Sequence, residues 1–267
     1  MAAYQDKVII LTGASQGIGK ALAVALAPQR PKLVLAARDE AALETVANEC
    51  RKRGAHTFVF KTDVTDEAQC RDLIRRSVSD AGGLDVLIHN AGGGMNARFD
   101  ELTDTSVFEK LIRLNYLGPA YLTHEAVPHL KKSRGQIVVV SSVAGLTGVP
   151  LRTAYSGSKH AVFGLFESLR IELAEHGVSV TMIAPDFVQS EIHKRAYGPD
   201  GKLVGDSTIA ERVAMPADEC AALIVGAMER RQRLLITSLR GKLGRFARLL
   251  VPRVVDGIAA RAIRRGV

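Results

Sequence analysis

"LTGASQGIGKALA" (residues 11–23) connects an apolar, β-branched segment to a segment whose apolar residues have helical spacing. Its three glycines, Gly13, Gly17 and Gly19, allow a tight bend and a close approach of the backbone to a pyrophosphate. The helix that follows would direct unpaired N–H groups toward such a phosphate. The spacing differs from the general G-x-G-x-x-G pattern, and a purely structural turn is the alternative. In this strand–turn–helix setting we interpret the stretch as a dinucleotide-binding turn, with contacts from Gly13, Ser15, Gln16, Gly17, Ile18 and Gly19.

Outward from this turn, strand-like and helix-like segments alternate to about residue 237. Continuous apolar segments separated by helical ones predict a parallel sheet covered on both faces. The predicted strands are 7–13, 32–38, 56–64, 84–92, 135–142, 178–185 and 233–237, and the predicted helices are 17–29, 39–53, 66–81, 104–132 (bent near Pro119), 153–176 and 216–230. We therefore expect an α/β fold, a doubly wound parallel sheet of about seven strands in a single domain, 1–238, followed by a C-terminal extension, 239–267.

Residues 186–215 interrupt this alternation. They are polar, contain Gly198, Pro199 and Gly201, and follow the sixth predicted strand. Ligands of doubly wound sheets bind beyond the carboxyl ends of the strands, so we predict a lid over a site. A surface loop is the alternative.

The composition fits one globular domain, with 267 residues of which 47% are hydrophobic and 24% charged. The net charge is +8, but eleven lysines and arginines against two acids lie between Glu229 and the C-terminus. The basic excess therefore belongs to the extension and does not indicate nucleic-acid binding by the main body. No signal peptide or membrane-spanning apolar run is recognisable, which predicts a cytoplasmic protein, peripheral on the inner face of a membrane if the extension binds lipid. The cysteines lack metal-site spacing and are expected to be reduced thiols: Cys50, Cys70 and Cys220.

The end of the second predicted strand, "LAARDE" (35–40), bears on the choice of dinucleotide. An acid there would hydrogen-bond the ribose hydroxyls of NAD, whereas an arginine would pair with the 2′-phosphate of NADP. Ala37 followed by Arg38 favours NADP(H) over NAD(H), unless Arg38 is only a solvated surface charge. Asp39 is expected to cap the next helix. Further cofactor contacts are expected after the third and fourth strands, from Asp63, Val64, Asn90, Ala91 and Gly92.

A tyrosine and a lysine lie four residues apart in "TAYSGSKHAVFGLFESL" (153–169), so one helical face carries both. A phenol titrates near pH 10, and the nearby ammonium of Lys159 would favour the phenolate and lower the pKa of Tyr155. Tyr155 could then exchange a proton with a carbonyl or alcohol oxygen, to which Ser142 could also hydrogen-bond. Asn115 is a poor helix former inside a predicted helix, and a local interruption of that helix would explain its presence. The alternatives are that Tyr155 and Lys159 form only a pair on the surface of the helix, and that Asn115 merely faces solvent.

Together these motifs resemble the short-chain dehydrogenase/reductase family, in its tyrosine-dependent branch. The matching residues are "TGASQGIG" (12–19), "DV" (63–64), "NAG" (90–92), Asn115, Ser142, "YSGSK" (155–159), and "AP" (184–185) with Val188 and Ser190. The resemblance implies a Rossmann-type fold, hydride transfer with NAD(P)(H), no metal, and a catalytic tetrad of Asn115, Ser142, Tyr155 and Lys159. It implies that Tyr155 and Lys159 also contact the cofactor, with Lys159 on the nicotinamide ribose, that Asn115 positions a water, and that Pro185, Val188 and Ser190 contact the cofactor.

Two residues depart from the family pattern. His89 precedes "NAG" where an asparagine is common, and Asp186 follows the proline where glycine is usual. A carboxylate at position 186 could bias the substrate away from acids, or it could point into solvent. We expect the substrate to contact Ser142, Tyr155, Asp186 and Phe187.

The extension has apolar residues at helical spacing with arginines between them, and Pro252 predicts two short helices. It could lie on an anionic membrane surface, pack on the domain or on a second subunit of a homodimer or homotetramer, or bind an acidic carrier protein. We expect an NADP(H)-dependent carbonyl reductase or alcohol dehydrogenase acting on a lipophilic ketone or secondary alcohol, such as a steroid or other lipid. The alternatives are a 3-oxoacyl thioester reductase and a nonenzymatic NADP-binding sensor or scaffold.

Overall fold

Seven parallel strands form the central sheet of the computed structural model, which describes residues 2–189, 195–205 and 214–264, the last three by backbone alone. The strands are β1 (Val8–Thr12), β2 (Lys32–Ala37), β3 (His56–Lys61), β4 (Val86–His89), β6 (Gln136–Val140), β7 (Ser179–Ala184) and β9 (Leu234–Ile236). A separate two-stranded pair consists of β5 (Gly94–Met95) and β8 (Ala196–Tyr197). The predicted α/β fold with a doubly wound sheet of about seven strands is confirmed.

The order of the strands across the sheet is β3-β2-β1-β4-β6-β7-β9. The chain runs outward from β1 to one edge, returns to the centre, and then runs to the other edge. The direction reverses between β1 and β4, and a crevice opens there at the carboxyl ends of the strands.

Helices cover both faces of the sheet. The helices among the described residues are α1 (Gly17–Leu26), α2 (Glu40–Lys52), α3 (Glu67–Ala81), α4 (Ser106–Ile112), α5 (Gly118–Ser133), α6 (Thr153–Glu172), α7 (Ala217–Glu229), α8 (Leu239–Leu250) and α9 (Pro252–Arg264). Alternate residues of β1 point to opposite faces, so Ile9 packs with α1, α2 and α7 while Ile10 packs with α3, α5 and α6.

Side-chain caps begin α2 and α3, which follow β2 and β3. The Asp39 carboxylate accepts a hydrogen bond from the Ala42 N–H at 3.0 Å, which confirms the predicted cap of α2. Asp66 does the same for α3, accepting from the N–H groups of Ala68 and Gln69. These caps fix the helix starts directly after the strand ends that border the crevice.

The helix predicted over residues 104–132 is interrupted. A π-helical turn, Arg113–Leu117, separates α4 from α5, and Asn115 lies buried within it. Pro119 lies in the first turn of α5, where a proline is tolerated, and the irregularity of this stretch is the π-helical turn just before it. The interruption expected at Asn115 is confirmed.

Candidate active site

A cavity of about 1450 Å³ lies in the crevice at the carboxyl ends of the strands. One part, called the glycine end, is lined by the β1–α1 turn and the residues that follow β2, β3 and β4. The other part, the tyrosine end, is lined by Ser142, Tyr155, Phe187, the segment 146–152 and the helices α8 and α9. The predicted site residues among the described ones line this cavity, except Gly19 on α1 and Asn115, which lies behind the wall.

The glycines of the first turn are required by its geometry. Gly13 and Gly17 have φ values of 64° and 54°, in the left-handed region that favours glycine. A Cβ on Gly19 would overlap the carbonyl oxygen of Gly13 and the side chain of Asn90. Gln16 begins α1 without a side-chain cap, so the N–H groups of the first helical turn remain available to a phosphate in the cavity. The turn therefore fits a dinucleotide.

Asn90 holds this turn in place. Its Nδ2 donates to the carbonyl oxygens of Thr12 and Gly13, each at 3.1 Å. The N–H groups of Asn90 and Ala91 donate to the Thr12 hydroxyl at 3.0 and 3.2 Å. In this structure Asn90 thus supports the glycine turn from beneath, a role that the sequence did not indicate. Gly92, two residues further on, lies close to Asn115. A Cβ at position 92 would be only 3.1 Å from Asn115 Oδ1.

Arg38 is the charged group at the end of β2. It is exposed and lines the glycine end, and the neighbouring acid, Asp39, is engaged in capping α2. Asp63 lines the same wall, but its Oδ1 already accepts from the N–H and the hydroxyl of Thr65. Asp63 is therefore a turn former that retains one carboxylate oxygen for another partner. Val64 follows it and is buried.

Tyr155 and Lys159 lie in the first turns of α6 and are 7% and 5% exposed. Lys159 Nζ lies 5.8 Å from the centre of the Tyr155 ring and donates to the Val140 carbonyl at 3.2 Å. Ser142 follows β6 and lines the cavity with them. The helix spacing thus brings the phenol and the amine to one side, as the sequence predicted.

Asn115 lies behind these groups. Its Nδ2 donates to the Gly93 carbonyl at 3.1 Å and to the Ser158 hydroxyl at 2.9 Å, and its Oδ1 accepts from the Gly93 N–H at 2.9 Å. The π-helical turn therefore connects the segment after β4 to α6.

A family model described as "short chain dehydrogenase" matches residues 7–199, which include the glycine turn, Asn115, Ser142, Tyr155 and Lys159. The chain belongs to the short-chain dehydrogenase/reductase family. It is therefore an oxidoreductase, and its fold binds a nicotinamide dinucleotide.

Known members of the short-chain dehydrogenase/reductase family resemble the chain over most of its length. "Dehydrogenase/reductase SDR family protein 7-like" of Dictyostelium discoideum is 33% identical over 96% of this chain and 81% of its own. "11-beta-hydroxysteroid dehydrogenase" of Pinus massoniana is 33% identical over 94% of this chain and 72% of its own. A crystal structure of a family member from Burkholderia phymatum in complex with NAD superimposes with a TM-score of 0.82, at 26% identity, over 95% of this chain and 96% of that one.

In this short-chain dehydrogenase/reductase, burial raises the pKa of Tyr155, while a hydrogen bond with Ser142 and the charge of Arg152 act to lower it. The cation among the causes that act on the pKa of the phenol is Arg152. Burial lowers the pKa of Lys159 itself to about 8. Arg152 was not among the predicted site residues. Its place immediately before the helix that carries Tyr155 is the feature that could have identified it.

Asp186 does not point into solvent. Its side chain is 12% exposed, and its carboxylate accepts from the Ser238 hydroxyl at 2.7 Å and from Arg240 at 2.8 and 3.1 Å. Because the charge is paired, the hypothesis that Asp186 turns the substrate away from acids loses its physical basis. The adjacent Phe187 lies beside two guanidinium groups, those of Arg152 and Arg240, each 5.4 Å from its ring centre.

Three further residues after β7 were predicted to contact the cofactor: Pro185, Val188 and Ser190. The Pro185 carbonyl accepts from the Val143 N–H at 3.0 Å, and Val188 is buried and bridges to Met215. Ser190 lies outside the described residues, as do parts of the predicted lid, 190–194 and 206–213. Within the described part of the lid, β8 pairs with β5 beside the tyrosine end.

The extension packs on its own domain and contributes to the cavity wall. Gly241 of α8 approaches the domain so closely that a Cβ would lie 2.9 Å from side-chain atoms of Val143 and Ile236. Arg248 donates to the Leu146 carbonyl at 3.0 Å. The two helices predicted around Pro252 are present, and residues of both line the tyrosine end. Among the described helices, none combines the length and apolar character needed to span a membrane.

Proposed function

We propose that this oxidoreductase uses NADP(H) to interconvert a lipophilic ketone and the corresponding secondary alcohol. The observation that carries the proposal is the joint presence of Tyr155 and Ser142 on the wall of a cavity that continues from the glycine end to an apolar tyrosine end. Leu146, Val149 and Phe187 line that end, together with Leu243 and Ile258 of the extension. Such walls suit a substrate with a large apolar body.

The residues of the chain divide the work of proton transfer. A bound nicotinamide dinucleotide supplies hydride in reduction and accepts it in oxidation. The Tyr155 hydroxyl donates its proton to the carbonyl oxygen as negative charge develops there, and the Ser142 hydroxyl donates a hydrogen bond to the same oxygen. In the reverse direction the Tyr155 oxygen accepts the proton of the alcohol. Lys159 and Asn115 complete the catalytic group. Lys159 contributes its charge and would reach toward the ribose. Asn115 fixes the segment after β4 and would position a water.

The preference for NADP(H) rests on the end of β2. Ala37 leaves no acid facing the adenosine ribose, and Arg38 is exposed on the cavity wall, where it can pair with a 2′-phosphate through two donors. Asp63, Val64, Asn90, Ala91 and Gly92 would border the rest of the dinucleotide, with Pro185, Val188 and Ser190 on the nicotinamide side.

A steroid-like substrate is the specific form of the proposal. Several similar proteins bear the name 11-beta-hydroxysteroid dehydrogenase, including those of Pinus massoniana and Arachis hypogaea. A rigid polycyclic ketone also matches the apolar wall formed by the segment 146–152 and the extension. Residues 1–238 would then form the catalytic unit, 186–215 the lid, and 239–267 a further wall of the site.

Contacts with other molecules are a separate part of the proposal. Apolar side chains of the extension remain exposed, among them Leu249 and Leu250 at 77% and 80%, next to its arginines. This pattern supports a peripheral contact with an anionic membrane surface, and flotation with anionic liposomes, with and without residues 239–267, tests it. Assembly into a homodimer or homotetramer, as in many family members, is tested by sedimentation.

The deciding experiment is NADPH oxidation in the presence of a panel of steroid ketones, aliphatic ketones and 3-oxoacyl thioesters. Turnover of steroid ketones with NADPH supports the proposal. Turnover of thioesters alone would establish the 3-oxoacyl reductase instead. Tight NADPH binding without turnover of any ketone or any alcohol would favour the nonenzymatic sensor.

A further inference from the structure

Arg152 lies at the tyrosine end of the cavity, directly before α6. Its side chain is partly buried and lines the cavity, with the guanidinium 5.4 Å from the ring centre of Phe187. Its charge acts on the Tyr155 phenol and on the Asp186 carboxylate, so it lies close to both. Arg152 is therefore a cation beside the proposed reacting group.

The other buried or clamped cations of this end have acceptors within the protein. Arg240 is paired with Asp186 through two hydrogen bonds, and Lys159 donates to the Val140 carbonyl. Arg152 differs: among residues 2–189, 195–205 and 214–264, no side chain or carbonyl accepts a hydrogen bond from its guanidinium. A guanidinium has five N–H donors, and Arg152 is partly buried on the cavity wall, so a ligand in the cavity can reach these donors. An acceptor supplied by that ligand would pair with them.

The charges around the tyrosine end favour an anionic acceptor. Of the described residues that line it, the basic ones are Arg152, Lys159, Arg195, Arg240 and Arg245, and the acidic one is Asp186. Since Asp186 is neutralised by Arg240, the remaining charge is positive. A carboxylate matches the planar fork of an arginine and binds it with two parallel hydrogen bonds.

We infer that Arg152 binds a carboxylate of the substrate, so that the enzyme acts on lipophilic keto acids and hydroxy acids rather than on neutral lipids. The inference rests on the proposed function, because it places the carboxylate on the molecule whose carbonyl meets Tyr155 and Ser142. Arg152 holds the acid group while the apolar walls hold the body of the molecule. The acid group therefore sets the orientation in which the carbonyl is presented.

The test compares a 3-oxo steroid carboxylic acid with its methyl ester, which differ in charge but not in skeleton. With the wild-type protein the acid is expected to have the lower KM. In Arg152→Gln the KM for the acid is expected to rise about 10- to 100-fold, as for loss of a charge-assisted hydrogen bond, while the KM for the ester stays within about threefold and any change in kcat is the same for both substrates. Arg152→Lys is expected to restore part of the affinity for the acid. Arg253→Gln removes an exposed arginine that does not line the cavity. This control is expected to leave the KM unchanged for both the acid and the ester.

Other outcomes overturn the inference. An equal rise in the KM for acid and ester would show that Arg152 does not bind the carboxylate and acts on the reaction only through Tyr155. A rise in the KM for NADPH with both substrates would assign it to the cofactor. Calorimetric titration of the acid and the ester separates this inference from the proposed function. Binding of the acid that is weakened in Arg152→Gln, without turnover, supports the carboxylate site and contradicts the reaction. Turnover of both with no preference contradicts the site alone.

Discussion

Arg240 donates two hydrogen bonds to the carboxylate of Asp186, at 2.8 and 3.1 Å, across 54 residues of sequence. The Ser238 hydroxyl adds a third at 2.7 Å, and the same hydroxyl accepts from the Gly241 N–H at the start of α8. The segment after β7 and the beginning of the extension are therefore fastened together. This contact, called the Asp186 clamp, holds α8 against the cavity.

Breaking the Asp186 clamp is expected to loosen the extension. In Asp186→Asn or Arg240→Gln, the loss of charge-assisted hydrogen bonds should weaken the local packing of α8 by about 1–2 kcal/mol. Hydrogen exchange of the α8 amides should become about 5- to 30-fold faster, while exchange in β1 and β4 stays unchanged. Lys242→Gln, on an exposed position of the same helix, is the control. Unchanged exchange in both clamp variants would show that Gly241 and Arg248 suffice to hold the helix.

Removing the Tyr155 hydroxyl is expected to abolish most of the activity. Tyr155→Phe should lower kcat by about 10²- to 10⁴-fold, because the Tyr155 hydroxyl is the proposed proton donor, and should leave the Kd for NADPH within a few fold. Ser142→Ala is expected to give a smaller loss. The matched control is Tyr121→Phe, which removes a phenol that does not line the cavity. Near wild-type turnover in Tyr155→Phe would sink the proposed mechanism.

The choice between the two dinucleotides is expected to depend on Arg38. In Arg38→Gln the kcat/KM for NADPH should fall about 10- to 100-fold, since the 2′-phosphate loses a charge-assisted pair, while that for NADH changes little. Ala37→Asp should lower the NADPH value further by repulsion. Lys52→Gln, an exposed charge on α2 outside the cavity, is the control. Equal changes in kcat/KM for NADPH and NADH would show that Arg38 does not bind the 2′-phosphate.

Lys159 is expected to make the free energy of unfolding change with pH in the alkaline range. Burial lowers the pKa of Lys159 to about 8 from the ordinary 10.5, so between these values the unfolded chain holds the proton and the folded protein does not. The free energy of unfolding should therefore gain up to about 1.4 kcal/mol per pH unit from this group as the pH rises from about 8 to 10.5. Below pH 8 both states are protonated, and the cost of burying the charge is constant.

The measurement is the difference between the wild type and Lys159→Met in the cofactor-free protein, by urea unfolding at several pH values. The difference is needed because burial raises the pKa of the thiols of Cys70 and Cys220 to about 12, which makes them act in the opposite direction over the same range. Lys159→Met should be the more stable protein at pH 7, and its advantage should shrink above pH 8. A constant difference up to pH 10.5 would contradict the buried, neutralised lysine.

His89 is expected to make the protein sensitive to acid. Burial lowers the pKa of His89 to about 3, its Nε2 pairs with the Thr123 hydroxyl at 2.8 Å, and its Nδ1 has no partner among the described residues. Because the unfolded chain takes up the proton first, stability should decline as the pH falls from about 6.5 toward 3. The stability of His89→Asn should decline less steeply in acid unfolding curves. His124 is an exposed histidine, and His124→Asn should follow the wild type.

Much of the fold could be predicted from the sequence because its causes are local. Apolar β-branched runs gave the strands, and Asp39 identified the start of α2. The boundaries were less accurate: the strand predicted at 84–92 ends at His89, because Asn90 turns its side chain back to the β1–α1 turn. The residues of the predicted tetrad follow from spacing and resemblance; Ser142, Tyr155 and Lys159 line one cavity, and Asn115 lies behind it, hydrogen-bonded to Gly93.

The surroundings of the site could not be predicted in the same way. The Asp186 clamp joins positions that only the folded chain brings together, so no pattern along the sequence announces it. Helical spacing indicated Lys159 as the charge near Tyr155 but gave no sign of Arg152, which acts against the effect of burial on the pKa of the phenol. Burial, which sets the sign of both pKa shifts, is a property of the three-dimensional packing.

The π-helical turn at Arg113–Leu117 has one residue more than a regular helix would use to cover the same rise. Deleting a single residue there would restore the ordinary backbone pattern and rotate Asn115 away from Gly93 and Ser158 by about 100°. Such a deletion could produce a smoother helix and a poorer catalyst. Screening variants of this chain for heat resistance alone would thus favour molecules that had lost the irregularity that positions Asn115.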